Sequence, residues 1–167
     1  MKKIIAVLIV LVMILSLAGC DSSKYKEAMQ MYERGEYAEA KEIFLELGDY
    51  EDSASMVKQC ELAIIDGYLQ GTWDNTQLSS LGITSHFTFT YGRVKAGLTI
   101  KGSTSDVNEG DYRIDLENQK VYVCYDYIID TDGKTPNTEE KCLFSYTFQN
   151  GRFVLMDADG ENKMQKQ

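Results

Sequence analysis

His86-Phe87-Thr88-Phe89-Thr90-Tyr91 decides how the second half of this chain folds, because polar and aromatic residues alternate one for one. A strand points successive side chains to opposite faces, so Phe87 and Phe89 share a buried side and His86 and Thr88 share the other. The same period of two runs through Tyr112 to Leu116, Lys120 to Tyr127, Cys142 to Phe148 and Arg152 to Met156. Trp73 to Gln77 and Arg93 to Ile100 bring the expected total to seven or eight short strands after Gly71. Turn signals separate them: Tyr91-Gly92, Lys101-Gly102-Ser103, Glu109-Gly110-Asp111, Glu117-Asn118, Asp132-Gly133, Asn150-Gly151 and Asp159-Gly160. Asn150-Gly151 is the clearest, since both residues tolerate the positive φ of a type I′ hairpin turn. Consecutive short strands joined by tight turns predict an antiparallel meander, which gains by curling into a barrel and removing its edges.

Before Gly71 the period is helical. Tyr25, Ala28, Met29 and Tyr32 form one stripe, and Tyr37, Ala40, Ile43, Phe44 and Leu47 form a second, with Gly35 interrupting between them. A third helix is expected to run to about Gly67, carrying Ala54, Val57, Cys60, Leu62, Ile64 and Ile65. Asp52 or Ser53 is placed to accept from its first free N–H groups. The expected class is therefore α+β. A short N-terminal helical hairpin of two to three helices occupies 20–69, and an antiparallel β-barrel or curled meander sheet occupies 70–167.

Ala28, Gly35, Tyr37, Ala40 and Phe44 stand at a spacing that resembles a tetratricopeptide repeat, with Ala40 small where two helices cross. Asp52 stands about where that family has a proline. The stretch Gly48-Asp49-Tyr50-Glu51-Asp52-Ser53 is similar to a variant linker in Gram-positive surface lipoproteins that carry such hairpins. The resemblance implies a peptide-binding face only where several repeats stack; here one and a half are present, so the segment reads as a spacer with a packed seam. Gly71-Thr72-Trp73 resembles the Gly-x-Trp opening of lipocalin-like barrels. That resemblance implies that Trp73 plugs the barrel floor beside a cation from a late strand, for which Arg152 is the candidate.

The N-terminus carries an address. Lys2 and Lys3 precede the apolar run Ile4 to Leu15, and Leu17-Ala18-Gly19-Cys20 closes the segment in the order of a secretory signal. It resembles a bacterial lipobox. The resemblance implies that residues 1–19 are a signal peptide and that Cys20 becomes the diacylglyceryl-bearing N-terminus. Two acyl chains, at about 0.8 kcal/mol per buried methylene, suffice for stable anchoring. The expected localisation is extracytoplasmic, lipid-anchored to a bacterial cell membrane through Cys20. The plain alternative is a retained transmembrane anchor; the run has about the minimum length, roughly 20 residues being usual, and no basic stop-transfer cluster follows it.

Charge narrows the partners. The whole chain carries −9, and two of its 17 basic residues fall in the signal segment, leaving 15 against 26 acidic side chains. Such a surface repels nucleic acid and anionic lipid headgroups. With Cys20 spent on lipid, Cys60, Cys124 and Cys142 remain, an odd number outside the cytoplasm. Cys60 lies on an apolar helix side. A Cys124–Cys142 disulfide stays open, although a simple hairpin about 130–139 pairs 124 with about 146 and leaves Cys142 out of line. No CxxC spacing accompanies the single histidine, which argues against zinc.

His86 reads as an exposed strand residue, and no nucleophile elbow, metalloprotease helix, phosphate loop or dinucleotide fingerprint is present, so neither an enzyme nor a cofactor is expected. Asp130 and Asp132, with Asn137, Glu139 and Glu140, are a weak calcium candidate that lacks the spacing of an EF-hand loop. Tyr122, Tyr125, Tyr127 and Tyr146 form the candidate binding surface, Tyr122 facing away from Tyr125 and Tyr127. Exposed tyrosines bring contact area at small entropic cost, and they also serve ordinary cross-strand pairing. The expected function is non-catalytic: a cell-envelope lipoprotein that binds or scaffolds a protein or glycan partner. The alternatives are a lipocalin-like carrier or inhibitor with a small apolar ligand inside the barrel, and an envelope hydrolase using surface carboxylates.

Overall fold

A computed structural model describes residues 20–130 and 133–167, with the backbone alone for 128–130. Leu17, Ala18 and Gly19 of the lipobox, the Asp130 side chain and Asp132 lie outside the described residues. The chain divides into two compact units, one ending at Ile64 and the other running from Ile65 to Gln167. The boundary expected at 69/70 falls earlier because Ile65 and Leu69 are buried in the core of the second unit.

In the first unit, helix α1 covers 20–33, α2 covers Tyr37–Leu47, and α3 begins at Ser53 and ends at Leu69 in the second unit. Ala28, Ala40, Phe44, Met56 and Cys60 form its core, three of them among the residues that set the helical stripes. Tyr25 meets Phe44 edge-on at 5.8 Å and Tyr32 meets Tyr37 at 5.2 Å. The cap of α3 differs from expectation. The Asp52 backbone carbonyl accepts from the Ser55 and Met56 N–H groups, while its carboxylate accepts from the Tyr25 hydroxyl. Ser53 donates its hydroxyl to the Tyr50 carbonyl at 2.6 Å. Among the described residues no helix is long and apolar enough to cross a membrane.

The second unit is a nearly closed antiparallel barrel. Its strands are β1 (Gly71–Asn75), β2 (Ile83–Thr90), β3 (Arg93–Ile100), β4 (Ser103–Asp115), β5 (Lys120–Tyr125), β8 (Lys141–Gln149), β9 (Arg152–Asp157) and β10 (Gln165–Lys166). They pair in the order β10-β1-β2-β3-β4-β5-β8-β9, and a separate hairpin, β6 (Tyr127–Asp130) with β7 (Gly133–Pro136), lies between β5 and β8 in the chain. Three two-residue connections, Tyr91-Gly92, Lys101-Gly102 and Asn150-Gly151, take positive φ at both positions, the twist that matches paired strands. The C-terminal residues bring the two edges of the sheet together. Met164 N–H donates to Leu155 of β9 at 2.8 Å, and Gln167 N–H donates to Thr72 of β1 at 3.0 Å.

Inward residues follow the alternation: Trp73, Phe89, Val94, Val121, Val123, Phe144, Tyr146 and Leu155 are buried together, with Phe87, Tyr112 and Phe153 packed against them. Trp73 is 4% exposed and donates its indole N–H to the Leu69 carbonyl at 2.7 Å, satisfying an acceptor at the end of α3. Its cation is Lys166, whose Nζ stands 5.1 Å from the ring, and not Arg152, which is exposed at the head of β9 opposite Gln149. Tyr112 closes the same end of the barrel, donating to the Asp66 carboxylate and accepting from Gln70 Nε2 at 3.0 Å.

Two expectations about the strands change. Glu109-Gly110-Asp111 is not a turn: β4 runs straight through it for 13 residues. A Cβ on Gly110 would sit 2.2 Å from the Cys124 carbonyl oxygen, so this glycine serves close strand approach. The strand expected from Lys120 to Tyr127 stops at Tyr125, and the β6–β7 hairpin occupies what read as a loop. A bulge between Val121 and Tyr122 then places Cys142 opposite Tyr122, and Cys124 and Cys142 are free thiols.

Candidate binding site

Tyr125 and Tyr127 meet at a cleft because the chain bends sharply between them. Asp126 makes the bend. Its carboxylate takes a two-pronged grip from Arg93, at 3.1 and 2.7 Å, and Arg93 also reaches Asp111 at 2.9 Å. The Asp126 N–H donates to the Glu109 carbonyl at 2.8 Å, and its own carbonyl accepts from Asn137 N–H at 3.0 Å. Arg93 holds the Asp126 carboxyl below the ordinary range. Asn137 ties the far side down, its amide donating to the Tyr125 carbonyl at 2.9 Å and the Glu139 carbonyl at 3.1 Å. Asn108 Nδ2 donates to the Tyr127 carbonyl at 2.6 Å. Arg93, Asn108 and Asn137 together with backbone groups therefore fix the chain on both sides of Asp126.

The cleft has a volume of about 360 Å³. Ala96, Val107, Val123 and Leu143 give it an apolar surface, and Asn137, Glu139 and Lys141 give it polar groups. Val107 is there because the β3–β4 register slips between Ala96 and Gly97, leaving it unpaired and 40% exposed. Tyr127 is 44% exposed, with Lys134 Nζ 5.8 Å from its ring. Burial pushes the Tyr125 phenol up to about 12, and among the described residues nothing hydrogen-bonds its hydroxyl. A half-buried donor without a protein partner favours a ligand atom or water that can accept from it.

The other two tyrosines of the candidate surface go elsewhere. Tyr122 lies on the outer face beneath Arg113, 4.5 Å from guanidinium to ring centre, and Arg113 grips Glu140 at 2.7 and 3.0 Å. Tyr146 is a core residue, 4% exposed and stacked on Phe153 at 5.6 Å, and it faces inward with Phe144, away from the surface. Of the calcium candidates, Glu140 is committed to Arg113 and Asn137 to the backbone. Among the described residues no group of His, Cys, Asp and Glu side chains is arranged to hold a metal ion.

A second, polar depression of about 360 Å³ lies on the outer face of β1–β4, lined by Thr72, His86, Thr88, Lys95, Thr99 and Asp106 among others. His86, expected to be exposed, is enclosed by partners. Its Nδ1 donates to Asp74 Oδ1 at 2.7 Å, and in the neutral ring its Nε2 accepts from the Thr99 hydroxyl at 2.5 Å. Gln167 donates to the other Asp74 oxygen at 2.8 Å. The alternation in β1, β2 and β3 places Thr72, His86, Thr88, Lys95 and Thr99 on one face, but only the pairing register puts them side by side.

Several carboxylates of the barrel are held below the ordinary range. Asp115 is lowered by the Asn118 amide and Glu140 by Arg113; Asp157, against its burial, is lowered by Asn162 and neighbouring N–H groups. Comparison with known proteins brings no relative: no family model, no curated protein and no solved structure matches this chain.

Proposed function

We propose that this chain is a non-catalytic binding protein of the bacterial cell envelope, held at the membrane by lipid on Cys20 and engaging a protein or glycan partner at the barrel. The observation that carries the reading is the cleft between Tyr125 and Tyr127, which offers an exposed ring, an unpartnered hydroxyl and an apolar wall in one place. Aromatic faces beside a few oriented polar groups are what recognition sites of both kinds are built from. The carrier alternative is less well supported, since Trp73 is packed by Leu69, Phe153 and Lys166 and lines none of these three clefts. The hydrolase alternative wants a carboxylate of raised pKa in a cleft, and the carboxylates whose pKa departs from the ordinary range are lowered.

The test is cross-linking in intact cells with wild type, Tyr127→Ala and Cys20→Ser. An adduct present in wild type and lost in Tyr127→Ala, with Cys20→Ser released from the membrane fraction, is the expected pattern. Adducts unchanged in Tyr127→Ala remove the cleft from the reading, and Cys20→Ser that stays with membranes after a carbonate wash removes the lipid anchor.

A further inference from the structure

We infer that Tyr127, at the rim of the tyrosine cleft, also closes one end of a groove over the outer face of β1–β4, and that the groove takes an extended, uncharged glycan chain; this rests on Tyr127 belonging to a binding site at all. Two depressions meet on the outer face, and the tyrosine cleft adjoins them at Tyr127 while turning toward the inward-facing Ala96 and Val123. Val107, Asn108 and Tyr127 line both the tyrosine cleft and a middle depression of about 260 Å³. Lys95 and Asp106 line both that middle depression and the hydroxyl-rich one beyond it.

The floor of the track is a row of directly opposed residues. Thr72 pairs with Thr88, Thr88 with Lys95, and Lys95 with Glu109, each on the next strand. Three inter-strand steps of about 4.8 Å make this row about 14 Å long before Tyr127 is reached. That is room for several sugar rings end to end, and too long for one small molecule.

The chemistry of the track selects the ligand class. At the far end the side chains include the hydroxyls of Thr72, Thr88, Thr99 and Thr104, groups that both donate and accept, as sugar hydroxyls do, while both His86 nitrogens are taken by Asp74 and Thr99. At the near end Tyr127 presents a flat exposed ring to the C–H face of a sugar. The middle depression carries Lys95 and Lys134 against Asp106 and Glu109, so its charges balance in a protein that is strongly acidic overall. Among the described residues neither Lys95 nor Asp106 has a hydrogen-bond or ion-pair partner, and both are free to meet a ligand. An extended peptide fits less well. It gains most of its affinity by adding to a free sheet edge, and β1, β2, β3 and β4 are each paired on both sides.

The test is calorimetric titration of the full chain in detergent with N-acetylglucosamine oligomers of two and six sugars, and with an unstructured peptide of similar length. The six-sugar oligomer is expected to bind about tenfold or more tighter than the dimer. Lys95→Ala combined with Thr88→Val should abolish that advantage, while Tyr127→Ala weakens binding of both lengths. Equal affinity for the two lengths, or a double variant that keeps the advantage, overturns the groove while a Tyr127→Ala effect still upholds the cleft. Binding of the peptide in place of the sugars overturns the glycan assignment. Binding of neither, with a protein cross-linked through Tyr127 in cells, overturns it too and leaves the cleft reading intact.

Discussion

Gly110→Ala probes the point where β4 and β5 come closest. The added methyl would lie 2.2 Å from the Cys124 carbonyl oxygen, 2.5 Å from Tyr125 Cα and 2.8 Å from the Cys124 carbonyl carbon. All three are backbone atoms of β5, so no side chain can turn aside, and ordinary contact begins only at 3.4 Å. The strands must therefore part by more than an ångström at the Gly110–Tyr125 pair. Overpacking of this kind costs about 1–3 kcal/mol, and each ladder hydrogen bond lost adds about 1 kcal/mol. The expected total is about 3 kcal/mol or more. Gly151→Ala is the control: its φ is +75° with open space around it, and the left-handed conformation alone costs about 1–2 kcal/mol. Urea unfolding read by the single tryptophan, Trp73, reports on the barrel directly. A Gly110→Ala loss below about 1 kcal/mol, no larger than that of the control, would mean that β4 turns at Gly110 and would refute the close pairing.

Trp73→Ala should cost about 3–5 kcal/mol by circular dichroism melts, and Trp73→Phe about 1–3 kcal/mol, because the Leu69 carbonyl loses its donor; a loss under about 1 kcal/mol from Trp73→Ala would place that ring at the surface. In an alkaline absorbance titration Tyr25, Tyr112 and Tyr125 should resist ionisation to about 12, the first held by Asp52 and the other two by burial. Their folded values lie above the ordinary value of about 10, so the stability they bring is complete below 10 and lost as pH rises to about 12. Asp126 works in the opposite direction: with its folded pKa lowered by Arg93, its contribution is present at neutral pH and lost as pH falls below the ordinary value of about 3.9. Arg93→Gln should flatten the acid limb of the stability curve; an unchanged limb would show that the Arg93–Asp126 pair adds nothing.

Period-two alternation was enough to place Phe87, Phe89, Val121 and Val123 inward, and the two-residue turns fell where Gly92, Gly102 and Gly151 stand. Gly110 misleads because a glycine between Glu109 and Asp111 has the composition of a turn, while its use here depends on a strand 14 residues further on. Tyr127 misleads because alternation continues through Asp126, and nothing local shows that Arg93 will bend the chain there. Tyr146 was legible in principle, being two residues from Phe144 on one face, but clustering by residue type outweighed its period. The two-residue strand β10 is too short to show a period, so Lys166 was missed and Arg152 took its place. The outer groove depends on cross-strand register, which alternation within each strand does not encode.

Amide chemical-shift mapping of the labelled full chain in detergent, titrated with the six-sugar oligomer, separates the working surface from its support. Shifts concentrated at Tyr125, Tyr127, Asn108, Lys95 and Thr88, with residues 20–64 still, are expected if the barrel face is the recogniser. Shifts confined to residues 20–64, or to the buried surroundings of Trp73, would contradict it and make the barrel a support or a carrier.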